Sequence, residues 1–166
     1  MADLIYTLRT SGSSFQAYTN LLKIVCEHYL CQIGHIYLVD SEDQKLKSSG
    51  IWYNHDSDLE RFKTFKDITE RLEFSKGEGF PGEIFEINDP KWISNLSSLG
   101  SKEYPRAQLF KELRLKSAIG FPLSTGKKVI GIVELFSSRI IEPSEKDLNF
   151  IRYLTAFVAR INTREN

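Results

Sequence analysis

Apolar residues along this chain keep to a helical spacing in some stretches and to strand-like runs in others, and the changes between the two mark out its elements. Phe15, Tyr18, Leu22, Val25, Cys26, Tyr29 and Leu30 recur every three or four positions, the period of one helix face. They predict a first helix over about 14–32, opened by Ser13 and Gln16 in capping-box spacing and stopped by Gly34. Ile36 to Val39 form a short continuous apolar run, and Leu46 to Tyr53 a second. The polar turn Ser41 to Gln44 between them predicts a strand hairpin. Leu59, Phe62, Phe65 and Ile68 are spaced by three and predict a helix over 58–68, followed by an expected strand over Thr69 to Phe74.

The stretch from Gly77 to Ile93 is the most heavily punctuated of the chain, with Gly77, Gly79, Gly82, Pro81 and Pro90. Glycine reaches backbone angles closed to other residues and proline fixes one of them, so this stretch is a shaped loop, a short helix and a re-entry into strand. Pro81 suits a first helical turn. Ile84, Phe85 and Ile87 give the helix a buried side, and Asn88 can end it in a left-handed conformation ahead of Pro90. Trp92 and Ile93 begin a strand. The segment is expected to be a lid over one face of a core.

After a polar loop, Ser94 to Glu103, Pro105 suits a helix start with Ala107, Leu109, Phe110 and Leu113 on its apolar side. Lys116 to Leu123 and Lys128 to Ser137, around a Ser-Thr-Gly-Lys turn, form the clearest hairpin. Their nearly continuous apolar character requires cover on both faces. The fold class is therefore α+β, a sheet with helices on both sides. Ser144 and Asp147 can cap a last helix. Phe150, Leu154, Phe157 and Ile161 form its main stripe, and Leu148, Ile151, Thr155 and Val158 a second, expected to meet another subunit. The pattern runs nearly to the C-terminus, as in a chain cut from a longer one.

Composition narrows the function classes. The 166 residues suit one domain, taken as 13–166 behind an N-terminal segment 1–12. The 22 basic and 22 acidic residues balance, which argues against a nucleic-acid partner. No apolar run approaches the roughly 20 residues of a membrane span, so no direct membrane contact is expected. Two cysteines, Cys26 and Cys31, are too few for a disulfide framework, and a cytoplasmic setting follows as the expectation.

Gly-Glu-Gly-Phe-Pro-Gly-Glu-Ile-Phe at 77–85 resembles the glycine-proline segment of GAF domains in microbial signalling proteins. Asp-Pro-Lys-Trp-Ile at 89–93, Tyr-Pro-Arg-Ala at 104–107, and the pair 115–123 and 129–137 are similar to the family's following strand, helix start and last hairpin. The resemblance runs over about 14–161 and implies a PAS-like GAF fold. Its central antiparallel sheet would carry the first and last helices on one face and the short helices, lid and pocket on the other. It implies a sensory or regulatory module, non-catalytic by itself, that binds a small molecule or a partner. Signal would pass to an output domain such as a histidine kinase or cyclase, with a homodimer formed through the terminal helices.

Tested against that family, no cofactor can be named. Bilin-binding members attach pigment through a cysteine whose position falls at about Pro105, with Arg106 where a histidine often follows. Members that reduce free methionine sulfoxide use several pocket cysteines, whereas Cys26 and Cys31 lie on or beside the first helix and read as packing residues. His28, His35 and His55 fall in different elements and form no metal spacing; they read as surface residues. The cyclic-nucleotide signature is not evident.

Glu134 is the main candidate. Strand alternation puts it on one face with Ile132 and Phe136, and family register turns that face toward the pocket, beside Ala118 and Gly120. A carboxylate among apolar neighbours needs a partner. Either Glu134 bonds a ligand, or it bonds lid amides or a nearby Arg or Lys; the second reading is preferred. The small Ala118 and Gly120 leave room above the sheet, and Trp92, Tyr104 and Phe110 could wall it. The same aromatic residues filling that room would point instead to a ligand-free dimerisation module.

Overall fold

The computed structural model describes residues 14–55 and 60–162. The segment 1–12, the Ser13 cap and the start of the helix expected from Asp58 lie outside the described residues. In chain order the elements are α1 (Ser14–Tyr29), β1 (Ile33–Val39), β2 (Leu46–Asn54), α2 (Lys63–Arg71), α3 (Gly79–Ile87), β3 (Lys91–Ile93), α4 (Ala107–Glu112), β4 (Ser117–Thr125), β5 (Lys128–Ser137) and α5 (Glu145–Asn162). One 3₁₀ turn, Leu96–Ser98, follows β3. The five strands form one antiparallel sheet in the order β2-β1-β5-β4-β3.

Register assigns every strand residue to a face. Glu134 pairs with His35 on one side and Gly120 on the other, and Phe136 pairs with Ile33 and Ala118. Side chains at paired positions share a face, so Ile33, His35 and Tyr37 join Ala118, Gly120, Ile132, Glu134 and Phe136. Gly34, Ile36, Ile119, Phe121, Val133 and Leu135 point the other way. There they pack with Leu22, Val25 and Cys26 of α1 and Ile151, Leu154 and Val158 of α5. Gly34 does not stop α1. It sits inside β1, where an added Cβ would stand 2.5 Å from Cys26 Sγ and 2.8 Å from Leu22 Cδ1. It therefore allows α1 to lie close on the sheet.

The ends of α1 and α4 are closed alike. Leu30 and Arg114 take left-handed angles, φ 55° and 53°. In each case the next residue, Cys31 or Leu115, donates its N–H to a carbonyl five positions back. This closure usually takes glycine. α3 ends on Asn88 with φ 51°, as its sequence predicts. α5 opens on Ser144 and Asp147, each bonding the other's backbone N–H.

Two further expectations are corrected. Thr69 to Phe74 is not a strand: α2 runs on to Arg71, and Phe74 alone bridges Leu46. On α5 the stripe buried against the sheet is Leu148, Ile151, Thr155 and Val158, with Leu154, while Phe150 and Phe157 are only half-buried. Both α5 faces are apolar, so the sequence pattern alone did not rank them.

Candidate functional site

The second face of the sheet carries a core unlike the first. Phe65 from α2, Phe74, Phe80 and Ile84 from the lid helix α3, Phe110 from α4 and Phe136 from β5 close over it. At its centre, wholly buried, lies Glu134. Arg106, just ahead of α4, reaches down and donates from Nη1 to Oε1 and from Nη2 to Oε2, both at 2.7 Å. The guanidinium, 2% exposed, lies 5.4–5.7 Å from the ring centres of Phe65, Phe74, Phe110 and Phe136. Rings at that distance attract a cation through their faces. Arg106 Nη1 also reaches Thr69 Oγ1 of α2 at 3.4 Å.

His35 extends this network toward β2. Its Nε2 lies 2.7 Å from Ser48 Oγ, which also accepts the N–H of Gly50. On the other side of the ring, Nδ1 faces Glu134 Oε1 at 3.5 Å. That contact is electrostatic, too poorly aligned for a hydrogen bond. His35 lies against Trp52, ring centres 4.0 Å apart, and meets Tyr37 edge-on at 4.4 Å.

Burial works to raise the Glu134 pKa, but the Arg106 charge outweighs it and holds the carboxyl below its usual range. Burial lowers the pKa of His35, opposed in part by Glu134, so the imidazole is neutral. Arg106 stays protonated: burial alone would lower its pKa, and Glu134 more than restores it. The site is a charged pair with a neutral imidazole beside it.

The expected site residues fall as follows. Glu134, Phe136, Ala118, Gly120 and Phe110 share this face and are buried. The room above Gly120 is occupied: a Cβ there would stand 2.2 Å from Ile84 Cδ1 and 2.9 Å from Phe80. The crevice among Phe74, Phe80, Tyr104 and Arg106 has no room for a water molecule. Tyr104 stands at its rim and donates to Glu83 Oε1 of α3 at 2.8 Å. Burial, then Glu83, pushes its hydroxyl up to about 12. Glu83 also pairs with Lys91 of β3, so this one lid residue is tied both to β3 and to the loop ahead of α4. Trp92 is not brought to the site. It pairs with Ile119, on the opposite face, and is 39% exposed.

Sequence reasoning missed Arg106 as the partner of Glu134. It took His35 for a surface residue, whereas His35 is wholly buried. The run at 36–39 was a signal that its neighbour is buried too, but the face it shares with Glu134 follows only from strand pairing. Tyr37 Oη and His35 Nδ1 are buried without a hydrogen-bond partner among the described residues. Cys26 and Cys31 are unbridged and buried on the α1 side of the sheet. Burial raises the Cys26 thiol far above its ordinary value and the Cys31 thiol to about 12. Among the described residues no His, Cys, Asp or Glu cluster could hold a metal ion, and no helix is long and apolar enough to cross a membrane.

Comparison with known proteins places this arrangement. A GAF-domain crystal structure from an Acinetobacter phosphoenolpyruvate-protein phosphotransferase superposes with a TM-score of 0.71 at 15% identity, over 99% of this chain and 94% of that one. The free methionine-R-sulfoxide reductase of Neisseria meningitidis, solved with its substrate, gives 0.72 at 12% identity, over 96% and 83%. At such identities these likenesses establish the fold alone. Among curated proteins, transcription factor GLABRA 3 of Arabidopsis thaliana is 36% identical over 61 residues. Those residues are 37% of this chain but only 10% of that relative's length. The GAF-domain family model matches residues 16–161, nearly the whole sequence, and the chain belongs to the GAF-domain family.

Proposed function

We propose that this domain is a non-catalytic regulatory module that works through partner surfaces and its two long helices rather than through a small-molecule pocket. One observation carries the reading: both oxygens of Glu134, the carboxylate best placed to hold a ligand, are already bonded to Arg106. The shell of four phenylalanines around that pair leaves no space for an added molecule. The buried, strongly protonated thiols lie on the far face of the sheet, which speaks against a cysteine-based reductase. A transcription factor among the relatives suits a module that serves an output domain joined to it in one polypeptide, in a cytoplasmic or nuclear setting. α1 and α5 would carry the state of the domain to that output. Phe15 and Tyr153 are 61% and 54% exposed on these helices, and they support a homodimer through that layer.

A second reading, a sensor that admits a small polar ligand beside Glu134, is favoured by the unpartnered Tyr37 hydroxyl and His35 Nδ1. Buried polar atoms without partners are uncommon. Such a ligand would have to displace Phe80 or Arg106, and would then touch Glu134, Phe136, Ala118, Gly120, Tyr104 and Phe110. Native mass spectrometry of the protein purified from its own host separates the two. The partner-surface reading expects the mass of the bare polypeptide, as monomer or dimer. A stoichiometric non-peptide adduct would overturn it in favour of the sensor.

A further inference from the structure

We infer that a groove at the end of the sheet, between the close of α4 and the segment linking β5 to α5, is a docking site for an acidic, partly apolar protein segment. The groove encloses about 640 Å³, and Lys111, Arg114 and Lys116 line it. All three are exposed, and none takes part in an ion pair among the described residues. Other surface cations among the described residues also stand outside ion pairs, Lys127 and Lys128 at the β4–β5 turn among them, but those two line no groove with an exposed apolar side chain. Three unpaired cations around one concavity repel each other, in a chain of zero net charge. That repulsion is relieved by an anionic occupant.

The groove is not only charged. Ile140, 66% exposed, stands on one wall, and the buried Leu115 lies between the basic positions. An occupant that covers Ile140 needs an apolar side chain next to its carboxylates. This favours an extended acidic peptide over a polyphosphate strand, because a peptide can set an apolar residue rather than a charge beside Glu142, which also lines the groove. Arg114 holds a left-handed angle where glycine is the usual residue, as Leu30 does at the close of α1, so glycine can stand there without strain. Arg114→Gly should therefore keep or raise stability while weakening docking, a combination that a structural role for the side chain would not give.

The inference deepens the partner-surface reading and is tested apart from it. A fluorescein-labelled peptide of alternating Glu and Leu is titrated with the domain by fluorescence anisotropy, at low and at physiological salt. The expected result is saturable binding that weakens with salt. It should fall at least tenfold in the triple variant Lys111→Glu, Arg114→Glu, Lys116→Glu, and severalfold in Arg114→Gly, and be unchanged in Lys127→Glu, Lys128→Glu at the β4–β5 turn. Circular dichroism checks that each variant is folded, and Arg114→Gly decides the matter if the triple variant is not. No saturable binding, an equal loss in the Lys127/Lys128 variant, or tighter binding of a single-stranded oligonucleotide of equal length would overturn the groove. Such a result with a bare polypeptide mass removes only this site; a small-molecule adduct would remove the function proposed above and leave the groove standing.

Discussion

The two faces of one sheet show two ways of making a core. Beneath α1 and α5 aliphatic side chains pack with Phe121, Tyr18 and Tyr29 around the two thiols, and no charged side chain enters the cluster among the described residues. Beneath the lid, phenylalanines surround a charged pair and an imidazole. The first face is held by burial alone, which is undirected and tolerates exchange among apolar residues of similar volume. The second is held by directed bonds whose partners come from α4, β5 and β1, so the position of the lid is tied to the identity of single residues. A buried ion pair is a poor source of net stability, but removing one partner is expensive. The lid face is thus the place where a small chemical change has a large structural effect.

Neighbouring residues on β5 offer the widest test of that contrast. Leu135 faces the helices and Phe136 the lid. Leu135→Ala should cost about 2–5 kcal/mol, and Phe136→Ala about 3–5 kcal/mol. The second should also loosen the lid, seen as faster amide exchange in α3 and α4, because Phe136 packs on Arg106 and Phe110. Unfolding by urea with exchange measurements checks both; equal exchange in α3 for the two variants would remove the contrast.

The paired glycines give a finer comparison. Gly34→Ala and Gly120→Ala should each cost about 1–3 kcal/mol by overpacking, since both added methyl groups meet neighbours inside 3 Å. An open pocket would instead accept the methyl group at 120 without penalty, and a loss there near zero by thermal unfolding would contradict a closed lid face.

Acid should act on the lid face first. His35 has a folded pKa below its unfolded value near 6.5, so the unfolded chain binds the extra proton. The stability this gives is present above about pH 6.5 and is lost as pH falls through that value toward the folded pKa. Glu134, also depressed, contributes stability above its unfolded value near 4.3 that is lost at lower pH. Stability measured by urea titration should therefore decline from pH 7 to pH 5, and His35→Gln should flatten that decline.

Most of the scaffold was legible in the sequence. Two hairpins, the lid helix with its Asn88 stop and the Ser144 cap followed from periodicity and turn chemistry, which act between near neighbours. The expected strand at Thr69 failed for a tertiary reason: Thr69 is buried under Arg106, and packing there keeps the helix going. At the site, alternation showed that Glu134 is buried and needs a partner. It could not name Arg106, 28 residues away in sequence, because that distance is closed by the whole course of α4 and β4. Trp92 was assigned to the wrong face because strand pairing, not composition, decides which way a three-residue edge strand turns.

The account stands on Glu134 being held by Arg106 within a closed core, and a double-mutant cycle addresses that claim most directly. Unfolding free energies would be measured for the native chain, Arg106→Met, Glu134→Leu and the double variant. Each single change should cost about 3–5 kcal/mol by stranding a buried charge, and the double change should cost less than either. Costs that simply add would contradict the account, because they would mean that the two side chains do not depend on each other.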